Sequence, residues 1–386
     1  MLSFIKNLTK PKTVDIADSN IANLGTDLEK KARLDAAQKE PAWEGVGSKV
    51  GLKVFRIEQF KVVPVSEDKV GKFYNGDSYI VINTWKKADE DKLYHDIHFW
   101  LGAKSSQDEQ GTAAYKTVEL DDYLGTVPVE HREVQGDESA LFKSYFKSFE
   151  VLEGGVASGF KHVTADVHVP HLYKISLHSL VAPHKDTGIT INEVAISYKS
   201  LNSGDVFVLD AEKAIYAWIG SHAKGIEKLK AQEVARRIES EREGRANVVV
   251  FDENDTDAAA FWEALGGKGP ITSAADAAKA AEKPVVEKAL IRLTDRTEGA
   301  KLSYKVEATN GSIKKSQLDS NDVFIVDNSD HVYVWVGSNS SDVERKNAMK
   351  FATDYLAAHS RPLSLPVTRV VEGVEDRVPS FVACLA

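Results

Sequence analysis

Three short runs of β-branched and aromatic residues recur along the chain, each entered from a polar turn. They read SYIVI after Gly76 and Asp77, VFVL after Gly204 and Asp205, and VFIV after Asn321 and Asp322. Each is followed by a second apolar run that contains tryptophan and ends in glycine: HFWLG, YAWIG and YVWVG. Short apolar runs bounded by turn residues are typical of strands, so each unit predicts a β-hairpin.

The spacing inside the three units is shared. In the second and third units the aspartate precedes the tryptophan by thirteen residues, and in the first by ten more, which the polar segment TWKKADEDKLYHD accounts for. A glutamate lies nine residues past each tryptophan. The residues are Asp77, Trp100 and Glu109; Asp205, Trp218 and Glu227; and Asp322, Trp335 and Glu344. Such spacing indicates internal repetition.

A helix is predicted after each hairpin, over residues 108–124, 225–242 and 342–358. In the second of these, Ile226, Leu229, Val234 and Ile238 recur at roughly helical spacing. A further strand is predicted after the helix in unit two (246–251) and in unit three (368–373). Strands with one long helix per unit predict the α+β class, with a mostly antiparallel or mixed sheet packed on helices.

These units divide the chain. Residues 1–44 are a polar extension with a short helix expected within 23–40, and domain 1 covers 45–166. Domain 2 covers 167–271, and domain 3 covers 285–386. The intervening Ala-rich segment 272–284 ends in proline and is interpreted as a linker.

Composition narrows the function classes. The 386 residues are 42% hydrophobic and 28% charged, typical of a soluble globular protein, and no apolar run has the length of a membrane helix. The net charge of −9 argues against nucleic acid as a partner. One cysteine, Cys384, excludes a disulfide framework and a thiolate metal site. We expect a cytoplasmic protein.

The repeated carboxylates admit two interpretations. A glutamate three residues after serine is a capping box, and Ser106 with Glu109 and Ser341 with Glu344 fit it. In unit two the equivalent position is Lys224, whose side chain cannot cap, which favours a role for the carboxylate itself. Likewise, an aspartate in a turn often binds its local backbone. Alternatively, Asp and Glu converge on a cation, and an all-oxygen ligand set suits calcium.

Longer motifs in domain 1 resemble the gelsolin family of actin-filament severing proteins. They are NGDSYIVI, FWLG with SSQDEQGTAA and VELDDYLG, HREVQGDESALFKSYF, and GGVASGFKHV. Three domains behind a polar extension resemble its fragmin and severin branch. The resemblance implies three gelsolin-like domains, each a central mixed sheet packed between a long helix and a short one.

Calcium ligands are carried over from the resemblance by position. A second ion, shared with actin, would use Asp121 and carbonyls near Thr126 and Pro128; the family usually has glycine where Thr126 stands, which leaves the loop geometry open. Asp276 is carried over across a one-residue gap. The internal sites would use Gly76, Asp77, Glu109 and Val156 in domain 1; Gly204, Asp205, Glu227 and Asp276 in domain 2; and Asn321, Asp322 and Glu344 in domain 3, with the Gly, Val and Asn residues contributing carbonyls.

The resemblance also implies actin contacts on two helices. The first helix would enter a cleft between actin subdomains, and the basic second helix, which begins near Lys224, would bind the filament side. A helix normally turns its apolar face to its own core, and a charge run is usually solvated, so both alternatives stay open. The residues are Gln107, Gly111, Tyr115, Val118 and Arg132 in domain 1, and Lys228, Lys230, Arg236 and Arg237 in domain 2.

One departure from the family concerns phosphoinositides. The stretch before GGVASGF is usually lysine-rich, but here it carries Glu150 and Glu153. The next segment lacks the usual arginines, although His168, His171 and His178 can become charged in acid. Because each basic residue strengthens binding to an anionic membrane, we expect weak or absent phosphoinositide binding at neutral pH.

The resulting hypothesis is a calcium-activated protein that severs actin filaments, caps their barbed ends and nucleates them, as a cytoskeletal monomer when free. The alternative is a calcium-dependent barbed-end capper that does not sever. A purely structural calcium-binding repeat protein is a further alternative. An enzyme is disfavoured because the sequence has no G-x-S-x-G elbow, P-loop or zinc-ligand cluster.

Overall fold

The structure is a computed structural model, which describes residues 34–126, 128–155, 169–177, 188–211, 213–242, 246–282, 286–297, 301–309 and 313–385. Its strands are β1 (Gly51–Glu58), β2 (Lys61–Pro64), β3 (Lys72–Tyr74), β4 (Ser78–Trp85), β5 (Tyr94–Leu101), β6 (Val129–Val134), β7 (Phe149–Leu152), β8 (His171–Leu177), β9 (Ile189–Val194), β10 (Val206–Asp210), β11 (Ala214–Ile219), β12 (Asn247–Asp252), β13 (Ala289–Thr297), β14 (Lys301–Thr309), β15 (Val323–Asp327), β16 (Val332–Val336) and β17 (Val367–Val371). Its α-helices are α1 (Gln107–Tyr123), α2 (Ala140–Ser144), α3 (Gly225–Glu241), α4 (Ala259–Ala264), α5 (Ala274–Ala281), α6 (Asp342–Ala358) and α7 (Pro379–Val382).

The same strand arrangement occurs three times. The predicted hairpins are β4–β5, β10–β11 and β15–β16, all antiparallel. The strand after each long helix then pairs parallel with the second hairpin strand, as β5–β6, β11–β12 and β16–β17. A parallel pair needs a crossover connection, and the long helices α1, α3 and α6 supply it. The prediction of a repeated mixed sheet of the α+β class is confirmed.

In each repeat the strands are covered by a long helix on one face and a short helix on the other. The long helices contribute small and branched side chains to the core, such as Ala113, Ala231 and Ala348. The other face holds Trp100, Trp218 and Trp335, which pack with aromatic residues on or beside the short helices. The repeated tryptophan is therefore a core residue.

Two sequence predictions about local structure need correction. Val234 and Ile238 on α3 are buried, but Ile226 and Leu229 are exposed, because the four positions do not share one face of a helix with 3.6 residues per turn. The third strand of repeat one, β6, was not predicted, because VEHREV has four consecutive polar residues and no apolar–polar alternation, although most of its positions are buried.

The structure shows helices in the N-terminal extension and in the segment interpreted as a linker. In the extension, residues 34–39 are helical, whereas residues 1–33 lie outside the described residues. The segment interpreted as a linker contains α5, whose N-cap Ser273 accepts the Asp276 N–H.

Domains 1 and 3 share one sheet. Strand β6 pairs antiparallel with β17, with Arg132 opposite Val367, His131 opposite Thr368 and Glu130 opposite Arg369. The result is a ten-stranded sheet, and Met349 on α6 packs against the cores of both domains. We call this contact the β6–β17 junction. Domain 2's sheet is extended in turn by β3 and β7.

Candidate functional site

The three repeated aspartates occupy one structural position, the turn before the first hairpin strand. In each repeat the glycine after the tryptophan donates its N–H to the aspartate carbonyl, at 3.0 to 3.1 Å. The chain passes so close here that a Cβ on Gly102 would lie 2.3 Å from the Asn75 carbonyl oxygen. The W-x-G motif thus fixes the aspartate backbone. The asparagine of the third repeat, Asn321, also lies in this turn, where its side chain donates to Asp319.

The three repeated glutamates occupy the third position of the long helices, and all three reach back to the N-cap. Their carboxylates accept the backbone N–H of Ser106 at 3.0 Å, Lys224 at 2.7 Å and Ser341 at 2.8 Å. The inference that Glu227 lacks a capping role because Lys224 cannot cap is therefore wrong. The glutamate half of a capping box needs only a backbone donor, which lysine has.

A basic side chain pairs with each aspartate. In domain 1, Arg56 Nη2 lies 2.5 Å from the Asp77 carboxylate. In domains 2 and 3, Lys174 Nζ lies 3.0 Å from Asp205 and Arg292 Nη1 lies 3.0 Å from Asp322. Asp77 and Asp322 are buried, and such carboxylates require a partner charge. All three positions thus attract positive charge.

The backbone of domain 1 fits the predicted calcium site. Gly76 donates its N–H to the Gly154 carbonyl at 2.7 Å, and a Cβ on Gly155 would lie 2.7 Å from an Asp77 carboxylate oxygen. The GGVASGF segment therefore begins directly beside Asp77, as the ligand set requires. The predicted ligand Val156 lies outside the described residues. Carboxylate and carbonyl oxygens are ligands that calcium prefers.

In domain 2 the predicted third carboxylate is not gathered with the other two. Among the His, Cys, Asp and Glu side chains of the described residues, one group of three has its ligand atoms all within 4.8 Å of one another. That group is His98, His131 and Glu133. Asp276 is exposed and accepts the Ser273 hydroxyl on α5, although Ala274 of the same helix lies against Gly204. Its role as a ligand therefore needs movement of α5.

The second predicted ion position contacts domain 3. Asp121 is buried on α1, and Arg369 Nη1 from β17 lies 3.8 Å from its carboxylate. Thr126, where the family usually has glycine, has φ of +59° and donates its N–H to the Asp121 carbonyl at 2.9 Å. A β-branched residue in this left-handed region costs about 1–2 kcal/mol. The loop thus keeps the conformation that glycine favours.

The predicted contact residues on α1 form an outward row. Gln107, Gly111 and Tyr115 are exposed and Val118 is half-buried, whereas the core side of the helix carries residues such as Ala113 and Leu120. The alternative that this row packs on its own core is excluded.

Arg132 is not part of the α1 row. It donates from β6 to the Leu363 carbonyl at 2.9 Å and the Leu365 carbonyl at 3.3 Å in domain 3. Burial lowers the pKa of Arg132 to about 10.

The basic residues of α3 divide into engaged and exposed groups. Arg237 makes an ion pair with Glu150 of β7 at 2.6 Å, and Lys230 pairs with Glu233 at 3.0 Å. Arg236 is exposed, Lys228 is half-exposed, and the Leu229 side chain between these basic residues is 67% exposed. Lys228, Leu229 and Arg236 are therefore the members of this face that the rest of the domain leaves accessible.

A buried histidine group at the β6–β17 junction was not identified from the sequence. The His98 and His131 rings stack in parallel with centroids 4.1 Å apart. His98 contacts Glu133 at 2.9 Å and Tyr145 at 3.1 Å, and His131 contacts Thr368 of domain 3 at 2.9 Å. Parallel rings do not direct their lone pairs at one point, as zinc ligands must. The group is a hydrogen-bond network that joins domains.

Burial determines the protonation of this network. It lowers the pKa of His98 to about 3 and the pKa of His131 well below the ordinary value, while it raises the pKa of Glu133. Both imidazoles are therefore neutral in the folded protein.

Comparison with known proteins identifies the family. The Gelsolin repeat matches residues 59–143, 190–262 and 305–381, which together exceed half of the chain. The chain belongs to the gelsolin family. The predicted three-repeat organisation of the fragmin and severin type is confirmed.

The relatives extend over nearly the whole chain. Gelsolin-like protein 2 of Lumbricus terrestris is 37% identical over 99% of this chain and 100% of the relative. Severin of Echinococcus granulosus is 38% identical over 95% of this chain and 96% of its own. The solved complex of Thorarchaeota 2DGel3 with rabbit actin is 27% identical and covers 55% of this chain at a TM-score of 0.23. A TM-score this low indicates nothing about actin binding here.

Among the described residues, no helix has the length and apolar character needed to cross a membrane.

We expect acid to destabilise this protein through His131. The folded pKa of a buried neutral histidine lies below its unfolded pKa. Its contribution to the free energy of unfolding is therefore fully present above about pH 6.5 and is lost as pH falls, by about 1 kcal/mol per histidine at pH 5.5. Thermal unfolding midpoints at about pH 7.5 and pH 5.5 measure this loss. The midpoint drop should be smaller in His131→Gln than in the wild type.

The control is His222→Gln, which removes an exposed histidine outside the network. This variant should show the wild-type drop. An equal drop in all three proteins would contradict the assignment of acid sensitivity to the junction.

Proposed function

We propose that this chain severs actin filaments and caps their barbed ends in a calcium-dependent manner. Membership of the gelsolin family and near full-length similarity to a protein named severin support the proposal. The single observation that carries it is the outward row of Gln107, Gly111, Tyr115 and Val118 on α1. This row is available for a partner, while the opposite side of the helix holds the domain core.

In the proposed mechanism, helices α3 and α1 bind actin one after the other. Helix α3 docks on the filament side through Lys228, Leu229 and Arg236, and α1 then inserts its outward row between actin subunits. No covalent step is required. Contacts between this protein and actin replace contacts between actin subunits, and the free energy of binding drives the exchange. After breakage the protein remains on the barbed end, and the same contacts support nucleation.

The β6–β17 junction opposes this action. Arg369 pairs with Glu130 at 3.4 Å and approaches Asp121 at 3.8 Å, and Arg132 donates to carbonyls of domain 3. The residues proposed for the shared ion and for one actin contact are therefore occupied by domain 3. Calcium would favour the open arrangement by binding it more tightly than the closed one. When bound, the ion supplies positive charge to buried carboxylates.

The second candidate is a capper that does not sever. One observation favours it: Arg237 and Lys230, two of the four basic residues proposed to bind the filament side, are already paired within the chain. Phosphoinositide binding remains proposed as weak or absent at neutral pH. Glu150 is buried and pairs with Arg237, which removes that cation from an anionic surface. His168 and His178 lie outside the described residues.

Replacing Tyr115 with alanine should impair capping and severing. Tyr115 is 52% exposed, so its removal leaves the core intact. We expect an actin affinity about tenfold weaker, the size of effect seen when an exposed aromatic anchor is removed. Pyrene-actin depolymerisation in calcium measures the loss.

The matched control is Phe60→Ala, because Phe60 is also an exposed aromatic residue of domain 1, in the β1–β2 turn. If both variants retain wild-type activity, α1 does not provide the actin contact.

Reversing charge on α3 should separate the two candidate functions. In Lys228→Glu/Arg236→Glu, loss of side binding should abolish severing, seen as unchanged filament length by fluorescence microscopy seconds after mixing. Barbed-end capping should persist.

Lys199→Glu/Lys213→Glu makes the same charge change at exposed positions of domain 2 off the helix. This control should sever normally. A wild-type protein that caps but never breaks filaments would establish the second candidate instead.

A further inference from the structure

The bases that pair with the repeated aspartates stand at one register position in all three domains. Arg56 lies opposite Tyr79 in the β1–β4 pair, Lys174 opposite Phe207 in β8–β10, and Arg292 opposite Phe324 in β13–β15. Each opposite residue is two positions past the aspartate of its repeat. A residue on the neighbouring strand at this point projects toward the aspartate turn, so the contact is a product of the shared fold.

The three ion pairs differ in burial. The Asp77 side chain is 0% exposed and that of its partner Arg56 is 15% exposed. In domain 3 the Asp322 side chain is 3% exposed and Arg292 is 28% exposed. The pair in domain 2 is the most accessible, with Asp205 at 15% and Lys174 at 31%. Attraction between the charges is therefore strongest in domain 1, where water is most completely excluded.

Each arginine also has a second carboxylate nearby, which can replace the aspartate as its partner. Arg292 Nε lies 3.0 Å from Glu307, and its Nη1 lies 3.6 Å from Asp319. Arg56 Nε lies 3.8 Å from Glu58. A guanidinium that leaves its aspartate thus keeps a carboxylate within reach. This arrangement allows displacement without leaving a buried charge unpaired.

A calcium ion at the same aspartate competes with these bases. Calcium binds carboxylate oxygens at about 2.3–2.6 Å, and the basic nitrogens already lie 2.5 to 3.0 Å from those oxygens. On loading, the base either leaves the carboxylate or stays as a like charge a few ångströms from the ion. Either outcome lowers the affinity for calcium.

We propose that Arg56, Lys174 and Arg292 are internal counter-ions that compete with calcium and set the concentration at which each domain loads. This proposal rests on the proposed calcium dependence. The counter-ion stabilises the unloaded aspartate, so the same side chain has two opposite effects. It stabilises the calcium-free fold, and it weakens calcium binding.

The test is isothermal titration of calcium chloride into the full chain without actin. Lys174→Gln removes charge from the most accessible pair, and we expect calcium to bind that domain about tenfold more tightly, because a nearby positive charge is removed. Adding Asp205→Asn to the same chain should abolish the tighter event. In chelator, the thermal unfolding midpoint of Lys174→Gln should lie below that of the wild type. The substitution thus raises calcium affinity and lowers the stability of the calcium-free protein.

Arg292→Gln should repeat this behaviour in domain 3, whereas Arg292→Lys retains the charge and should titrate close to wild type. Lys350→Gln is the charge-matched control, because Lys350 is exposed on α6 and pairs only locally with Asp354 in the contacts described. It should leave calcium binding unchanged.

Each outcome separates this proposal from the proposed function. If Lys174→Gln and Arg292→Gln lower the unfolding midpoint without tightening calcium binding, the bases are merely structural and the counter-ion proposal fails. If the wild type binds no calcium, or if neither Asp205→Asn nor Asp322→Asn lowers the number of calcium ions bound per chain, the proposed calcium sites of domains 2 and 3 fail instead.

Discussion

A buried carboxylate must be neutralised, and this requirement recurs at each aspartate turn and again at the β6–β17 junction. Asp77 and Asp322 meet a base from the neighbouring strand. Asp121 and Glu130 meet Arg369 from another domain. In the absence of metal the protein supplies these charges itself. Any cation that binds one of these carboxylates therefore either displaces a contact that holds the folded arrangement together or lies beside a like charge.

This requirement connects the proposed calcium sites to the surface that we propose binds actin. Displacing Arg369 of β17 from Asp121 weakens the junction between β17 and β6. Strand β6 also carries Arg132 and His131, both of which contact domain 3. The outward row on α1 is already exposed in its own domain, so the proposed control by calcium acts on the contact between domains 1 and 3. The neutral histidine pair adds a second constraint, since protonation of either stacked ring would place charge in a site that burial disfavours.

Local patterns were sufficient for the repeated hairpins, the long helices and the mixed sheets. Trp100 and Gly102 could be recognised because hairpin geometry ties them to Asp77. The junction could not be predicted, because the pairing of Arg132 with Val367 joins segments far apart in sequence, and the short polar run of β6 carries a weak strand signal. Glu227 was misjudged because capping by its carboxylate depends on a backbone N–H that every N-cap residue other than proline provides. The bases opposite the aspartates become visible only once strand register is known.

We propose that calcium opens the β6–β17 junction. Hydrogen–deuterium exchange of the full chain, with calcium and with chelator, measures this opening, because backbone amides in a paired strand exchange slowly until the pairing breaks. Calcium should speed exchange in peptides covering residues 129–134 and 367–371, while β4, central in the domain 1 sheet, should stay protected. Unchanged or slower exchange at both junction strands in calcium would contradict it.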